Sequence, residues 1–121
     1  MSDFAYPLHE ECGVFGLYDR AGTEDVAAAA YSALYALQHR GQESCGIAVN
    51  DNNLITLVKD LGLVHEVFDE KTLSAMKGSI AIGHVRYSTT GASTVENAQP
   101  LVLNYLKGTL ALAHNLSLIH I

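Results

Sequence analysis

The chain has 121 residues, 49% of them hydrophobic, with 13 acidic against 7 basic side chains and a formal net charge of -6. With a mean hydropathy of +0.15, this is globular composition, sufficient for one domain with a core and little more, and it excludes intrinsic disorder. No Lys/Arg run and no bilayer-length apolar stretch occurs, which argues against a nucleic-acid surface, an anionic membrane surface or a spanning helix.

Residues 1–11 carry Asp3, Glu10 and Glu11 but no basic residue and no apolar centre, so they do not read as a secretory signal. With only Cys12 and Cys45 present, the expectation is a reduced, cytoplasmic setting and free thiols. Gly13–Tyr18 then reads as a strand and Asp19–Gly22 as a turn. Thr23 is expected to cap a helix with Glu24 and Asp25 in its first turn, where carboxylates suit the dipole. Val26, Ala29, Ala30, Ala33, Leu34 and Leu37 recur at helical spacing, and Gly41 is the expected stop. Gly46–Val49 and Leu54–Val58 flank Asn50–Asn53, which has hairpin turn chemistry. Leu63–Met76 is helical in pattern, with Asp69 opening a second short piece. Ile80–Val85 reads as a strand and Ser88–Gln99 as a polar loop. Pro100–Tyr105 and Leu110–Ala113 form a hairpin around Lys107-Gly108. Strands clustered around few helices predict an α+β fold with an antiparallel sheet.

Four clusters could carry chemistry. Cys12 lies between Glu11 and a strand start. Were the Glu11–Cys12 bond cut, its thiol and its α-amine, which ordinarily titrates near ~8, would form a nucleophile–base pair on one residue. Read singly, it is more readily a small buried apolar side chain. His39-Arg40-Gly41-Gln42-Glu43-Ser44 ends the first helix, where a C-cap is the ordinary reading. In Gly83-His84-Val85-Arg86-Tyr87-Ser88-Thr89-Thr90-Gly91 an arginine leaves an apolar strand. Its planar fork suits an amino-acid α-carboxylate, with hydroxyls beside it, or else a structural acidic neighbour. Leu112-Ala113-His114-Asn115 ends a strand with a side-chain amide able to donate to an oxyanion, or simply to start a turn. The six histidines are scattered without paired ligand spacing, so no metal site is expected.

Together, in this order and spacing, the clusters resemble the class II glutamine amidotransferases, whose glutaminase domain is an N-terminal-nucleophile hydrolase. Leu37-Gln38-His39-Arg40-Gly41-Gln42-Glu43-Ser44, Ala81-Ile82-Gly83-His84-Val85-Arg86-Tyr87-Ser88-Thr89 and Glu96-Asn97-Ala98-Gln99-Pro100 are similar to the branch that aminates phosphoribosyl pyrophosphate. The hexosamine-forming branch would show Tyr-Arg-Gly-Tyr-Asp and Thr-Arg-Trp-Ala-Thr instead.

The resemblance implies an αββα sandwich of which roughly the first half is present. It implies residues 1–11 as a propeptide, Cys12 as nucleophile and Asn115 as oxyanion donor. Arg86 would hold the glutamine α-carboxylate, with Tyr87, Ser88 and Thr89 beside it and Arg40 and Gly41 shaping the site. Ammonia released from glutamine would convert phosphoribosyl pyrophosphate to 5-phosphoribosylamine in purine biosynthesis, on a domain absent from the chain. Relatives further imply Mg2+ with phosphoribosyl pyrophosphate, a [4Fe-4S] cluster in the propeptide branch and a homo-oligomer. The alternatives are the glutaminase half of another class II amidotransferase, or a non-catalytic truncated module.

The resemblance covers 12–115 and breaks at Leu116, where Gly-Asn is expected after His-Asn. Residues 116–121 are Leu-Ser-Leu-Ile-His-Ile, the in-frame translation of the transposon-end adapter CTG-TCT-CTT-ATA-CAC-ATC. They are therefore expected to be a non-native tail. An incomplete sandwich exposes apolar surface, so little glutaminase activity is expected of the 121 residues alone.

Overall fold

The computed structural model describes residues 12–38, 42–87 and 94–114. Four strands, β1 (Cys12–Tyr18), β2 (Ser44–Asp51), β3 (Leu54–Leu61) and β4 (Ile80–Arg86), form one fully antiparallel sheet in the order β1-β4-β2-β3. Helix α1 (Val26–Leu37) and two short helices, α2 (Val64–Val67) and α3 (Glu70–Ser74), accompany it. A two-stranded sheet, β5 (Leu101–Tyr105) and β6 (Gly108–Leu112), follows a 3-10 turn at Val95–Asn97. This is the expected α+β architecture with an antiparallel sheet.

Register and alternation assign every sheet residue to a face. Gly13, Phe15 and Leu17 of β1 share a face with Ala81, Gly83 and Val85 of β4 and with Cys45, Ile47 and Val49 of β2. Val26, Ala27, Ala30 and Leu34 of α1 complete that core, together with Val64, Phe68 and Met76. At Gly83 an added Cβ would stand 3.0 Å from Leu34 Cδ1, so the bare backbone lets the helix sit close to the sheet centre. The opposite face carries Cys12, Arg86 and Ser44 in one row and Val14, His84, Gly46 and Lys59 in the next. Further along it, Ala48, Ile55, Ile80 and Ile82 line a shallow cavity with Thr109, Leu110 and Ala111 of β6. The hairpin therefore lies over the face that α1 does not cover.

Helix α1 begins later than the sequence pattern implies. The cap is Asp25, whose Oδ1 accepts from Ala28 N at 3.0 Å, not Thr23. Asp19 is the reason: its carboxylate accepts from Ala21 N at 3.2 Å and Glu24 N at 2.6 Å, holding 19–24 as a turn. Asp25 is thus the cap and not a first-turn residue. The helix ends at Leu37, with Gln38 already extended, and Gly41 lies outside the described residues. Asp69 caps α3 as expected, accepting from Thr72 N at 2.7 Å. The β2–β3 turn places Asn52 and Asn53 at positive φ, of 52° and 76°, a conformation asparagine tolerates well. The expected strand bounds change slightly: β1 starts at Cys12 itself, β4 runs to Arg86, β5 starts at Leu101 and not Pro100, and β6 starts at Gly108.

Candidate active site

Cys12 is the first residue of β1, and its register partner across the antiparallel pair is Arg86, the last residue of β4. Arg86 is in turn opposite Ser44, the first residue of β2. Side chains directly opposite on one face stand about 5 Å apart at Cβ. The thiol and the guanidinium therefore share one end of one sheet face, away from α1, although they lie 74 positions apart in the chain. Both are half-buried.

Cys45 is the chemical opposite. It points into the helix-side core, fully buried, with its Sγ 3.7 Å from the Gly62 carbonyl. Burial first, then the carboxylates of Asp60 and Glu66, push its thiol up to about 12. It is a protonated packing residue, so the two cysteines are sorted by the face of the sheet they occupy.

The strand ends are braced around this site. Glu43 N donates to Arg86 O at 2.8 Å, and Gly62 N donates to Glu43 O at 2.8 Å. The Tyr87 hydroxyl donates to the Leu37 carbonyl, tying the end of β4 to the end of α1. That bond gives Tyr87 a bracing contact in addition to the substrate contact expected of it. Gln38 Oε1 accepts from Val64 N at 3.1 Å, and the buried Gln42 Nε2 donates to Gly62 O at 2.6 Å. Both flanks of residues 39–41 are thereby pinned next to Tyr87. Arg40, Gly41, Ser88, Thr89 and Asn115 lie outside the described residues, as do 1–11 and 116–121.

Three residues that the sequence reading left without a role join the site, His84 and Lys59 from the second row and Gln99 from the loop before β5. The His84 imidazole is fully buried, and its Nε2 lies 3.0 Å from the carbonyl of His114, next to Asn115. A carbonyl only accepts, so Nε2 carries the proton. Burial is the main cause that lowers the His84 pKa to about 4, so the ring is neutral. Gln99 Oε1 accepts from His114 N at 2.7 Å. Lys59 Nζ donates to Ala98 O at 2.6 Å, holding the turn that delivers Gln99. For His84 and Gln99 the signal was present in the Gly83-His84-Val85-Arg86 and Glu96–Pro100 motifs, while Lys59 carried none, and only the fold shows what these side chains touch.

Among the described residues, Cys12 and Arg86 are thus brought together, and the chain leading into Asn115 is held over the same face. That set can hold an amino-acid carboxylate beside a thiol. Among the described residues no group of three or more His, Cys, Asp or Glu side chains could hold a metal, and no helix is long and apolar enough to cross a membrane.

No family model matches the chain. Curated relatives do. The amidophosphoribosyltransferase of Mycobacterium tuberculosis is 60% identical over 112 residues, which are 92% of this chain and 21% of that protein. That of Synechococcus elongatus is 56% identical over 111 residues, 92% of this chain and 22% of that protein. The solved structure of the glutamine phosphoribosylpyrophosphate amidotransferase from B. subtilis, complexed with ADP and GMP, superimposes with a TM-score of 0.70 at 44% identity. It covers 83% of this chain and 21% of its own. The chain thus spans about a fifth of the length of the relatives it matches. With identity at this level over most of the chain, and a shared fold, the chain belongs to the amidophosphoribosyltransferase family.

Proposed function

We propose that this segment is the front of the glutaminase half of an amidophosphoribosyltransferase, with Cys12 as the nucleophile. The observation that carries the reading is the pairing of Cys12 with Arg86 at one end of a sheet face, in a chain 60% identical to such an enzyme. Removal of residues 1–11 would free the Cys12 amine to take the thiol proton. The sulfur then attacks the glutamine side-chain amide carbon, and the carbonyl oxygen becomes an oxyanion that the Asn115 amide stabilises. Collapse of this adduct expels ammonia, which carries away the proton, and leaves a γ-glutamyl thioester. Water hydrolyses the thioester to glutamate and restores Cys12. Arg86 holds the α-carboxylate through a paired fork, with Tyr87, Ser88 and Thr89 beside it, while Arg40 and Gly41 shape the rim.

The acceptor, phosphoribosyl pyrophosphate, would be aminated to 5-phosphoribosylamine by a domain beyond these residues, in a cytoplasmic homo-oligomer. Mg2+ with phosphoribosyl pyrophosphate and the [4Fe-4S] cluster of the propeptide branch are likewise proposed for that remainder. Residues 116–121 are proposed to be adapter-derived.

The test is intact mass and labelling on the longer protein that carries this segment. Loss of residues 1–11, with stoichiometric modification of Cys12 by a diazoketone analogue of glutamine, is the expected result. Retention of 1–11 with an unlabelled Cys12 would favour a non-catalytic module. Glutamine hydrolysis unaffected by phosphoribosyl pyrophosphate would point to another class II amidotransferase.

A further inference from the structure

His114 is held at both of its backbone polar atoms. Gln99 Oε1 accepts its N–H at 2.7 Å, and His84 Nε2 donates to its carbonyl at 3.0 Å. That carbonyl belongs to the peptide plane linking His114 to the next residue, so holding it constrains the direction in which the chain leaves His114. Both holding side chains are buried, His84 completely and Gln99 to 8% exposure. Among the described residues His84 Nδ1 has no partner, and the bond to His114 is the single hydrogen bond of this ring. A buried imidazole with one polar atom left unpaired is costly, and its one directed contact is with the residue preceding the proposed oxyanion donor.

Gln99 is seated with equal care. An added Cβ at Gly46 would stand 2.3 Å from the Gln99 carbonyl, so only glycine allows this loop to lie on the sheet. Lys59 Nζ fixes the preceding carbonyl, Ala98 O, at 2.6 Å. The sheet thus reaches His114 by two routes, directly through His84 and through the 98–99 backbone. His84 stands two residues before Arg86 on the same strand and the same face.

We infer that His84 and Gln99 form a two-point clamp on His114 that orients Asn115, making both of them positioning residues for stabilising the oxyanion when Cys12 attacks. The inference rests on the glutaminase reading above. Neither side chain touches substrate in this scheme; each acts through the 114–115 backbone.

The test compares glutamine hydrolysis with Cys12 alkylation by iodoacetamide in the longer protein. Alkylation joins sulfur to the methylene carbon and expels iodide, so no oxyanion forms and Asn115 is not needed. His84→Leu and Gln99→Met are each expected to lower kcat roughly 10- to 100-fold, a share of what a whole oxyanion donor supplies. KM for glutamine and the alkylation rate should both stay within about twofold, because Arg86 and Cys12 are untouched. His84→Gln keeps an N–H at similar reach and should recover activity to within a few-fold of the parent. Circular dichroism checks folding; were His84→Leu to unfold, the contrast of Gln99→Met with His84→Gln carries the same decision. Unchanged kcat in folded variants, or alkylation falling in step with kcat, overturns the clamp. A parent protein that alkylates at Cys12 but hydrolyses no glutamine overturns the glutaminase reading itself.

Discussion

His84 should couple folding to pH in a window set by its burial. The ring has no solvent exposure. Burial is the largest cause of its lowered pKa, opposed by the bond to the His114 carbonyl and reinforced by His114 and Arg86, and it brings the value from 6.5 to about 4. In the unfolded chain the same ring regains its ordinary value near 6.5. Between these two values the unfolded state binds a proton that the folded state refuses. Stability is therefore complete above about pH 6.5 and falls as pH drops, by up to about 1.4 kcal/mol per unit, until the ring protonates near pH 4. Integrated from about pH 7 to about pH 5, the loss is about 2 kcal/mol, and the full loss below pH 4 is about 3 kcal/mol. The assay is urea unfolding followed by circular dichroism at both pH values, for the parent and for His84→Gln. Other titrating groups act alike in both proteins and cancel in the difference, leaving the parent steeper by about 2 kcal/mol. Equal pH dependence in the two proteins, or a His84 ring that titrates near 6.5 by NMR, would refute the reasoning.

Arg86→Lys keeps the charge but loses the planar fork; kcat/KM for glutamine should fall roughly 10- to 100-fold, mainly through KM, and an unchanged KM would remove Arg86 from the α-carboxylate. Gly46→Ala places a Cβ 2.3 Å from the Gln99 carbonyl, so a destabilisation of about 2–3 kcal/mol is expected, together with lost glutaminase activity. A melting temperature equal to the parent's would show that the loop is not seated on the sheet there. Iodoacetamide near neutral pH should modify Cys12 and leave Cys45 intact, since the Cys45 thiol is buried and pushed up to about 12. Peptide mapping that finds both cysteines modified at equal rates would contradict the sorting of the two thiols by sheet face.

Much of the fold was legible because its signals are local. Asn50–Asn53 between two apolar runs marks a hairpin whatever surrounds it, and the two asparagines at its tip take the positive φ that such a turn demands. Asp69 three residues before Thr72 marks a helix start for the same reason. The start of α1 was misplaced because Thr23 and Asp25 are both competent caps. The choice between them was made by Asp19, whose carboxylate reaches forward to Glu24 N and delays the helix.

The candidate site divides in the same way. Sequence alone determined which residue types were available: a cysteine at a strand start, an arginine leaving a strand, and an amide at a strand end. Sequence similarity then gave them a shared chemistry. Only the tertiary structure decided that Cys12 faces Arg86, because register is a property of the paired strands and a slip of one residue would turn either side chain to the helix side. Only it separated Cys12 from Cys45, by placing them on opposite faces of one sheet. It also gave His84, Gln99 and Gly46 their roles, since a buried imidazole has no function in a linear string. Its partner, His114, is 30 residues away, and the bond between them exists because the sheet and the hairpin bury that face together.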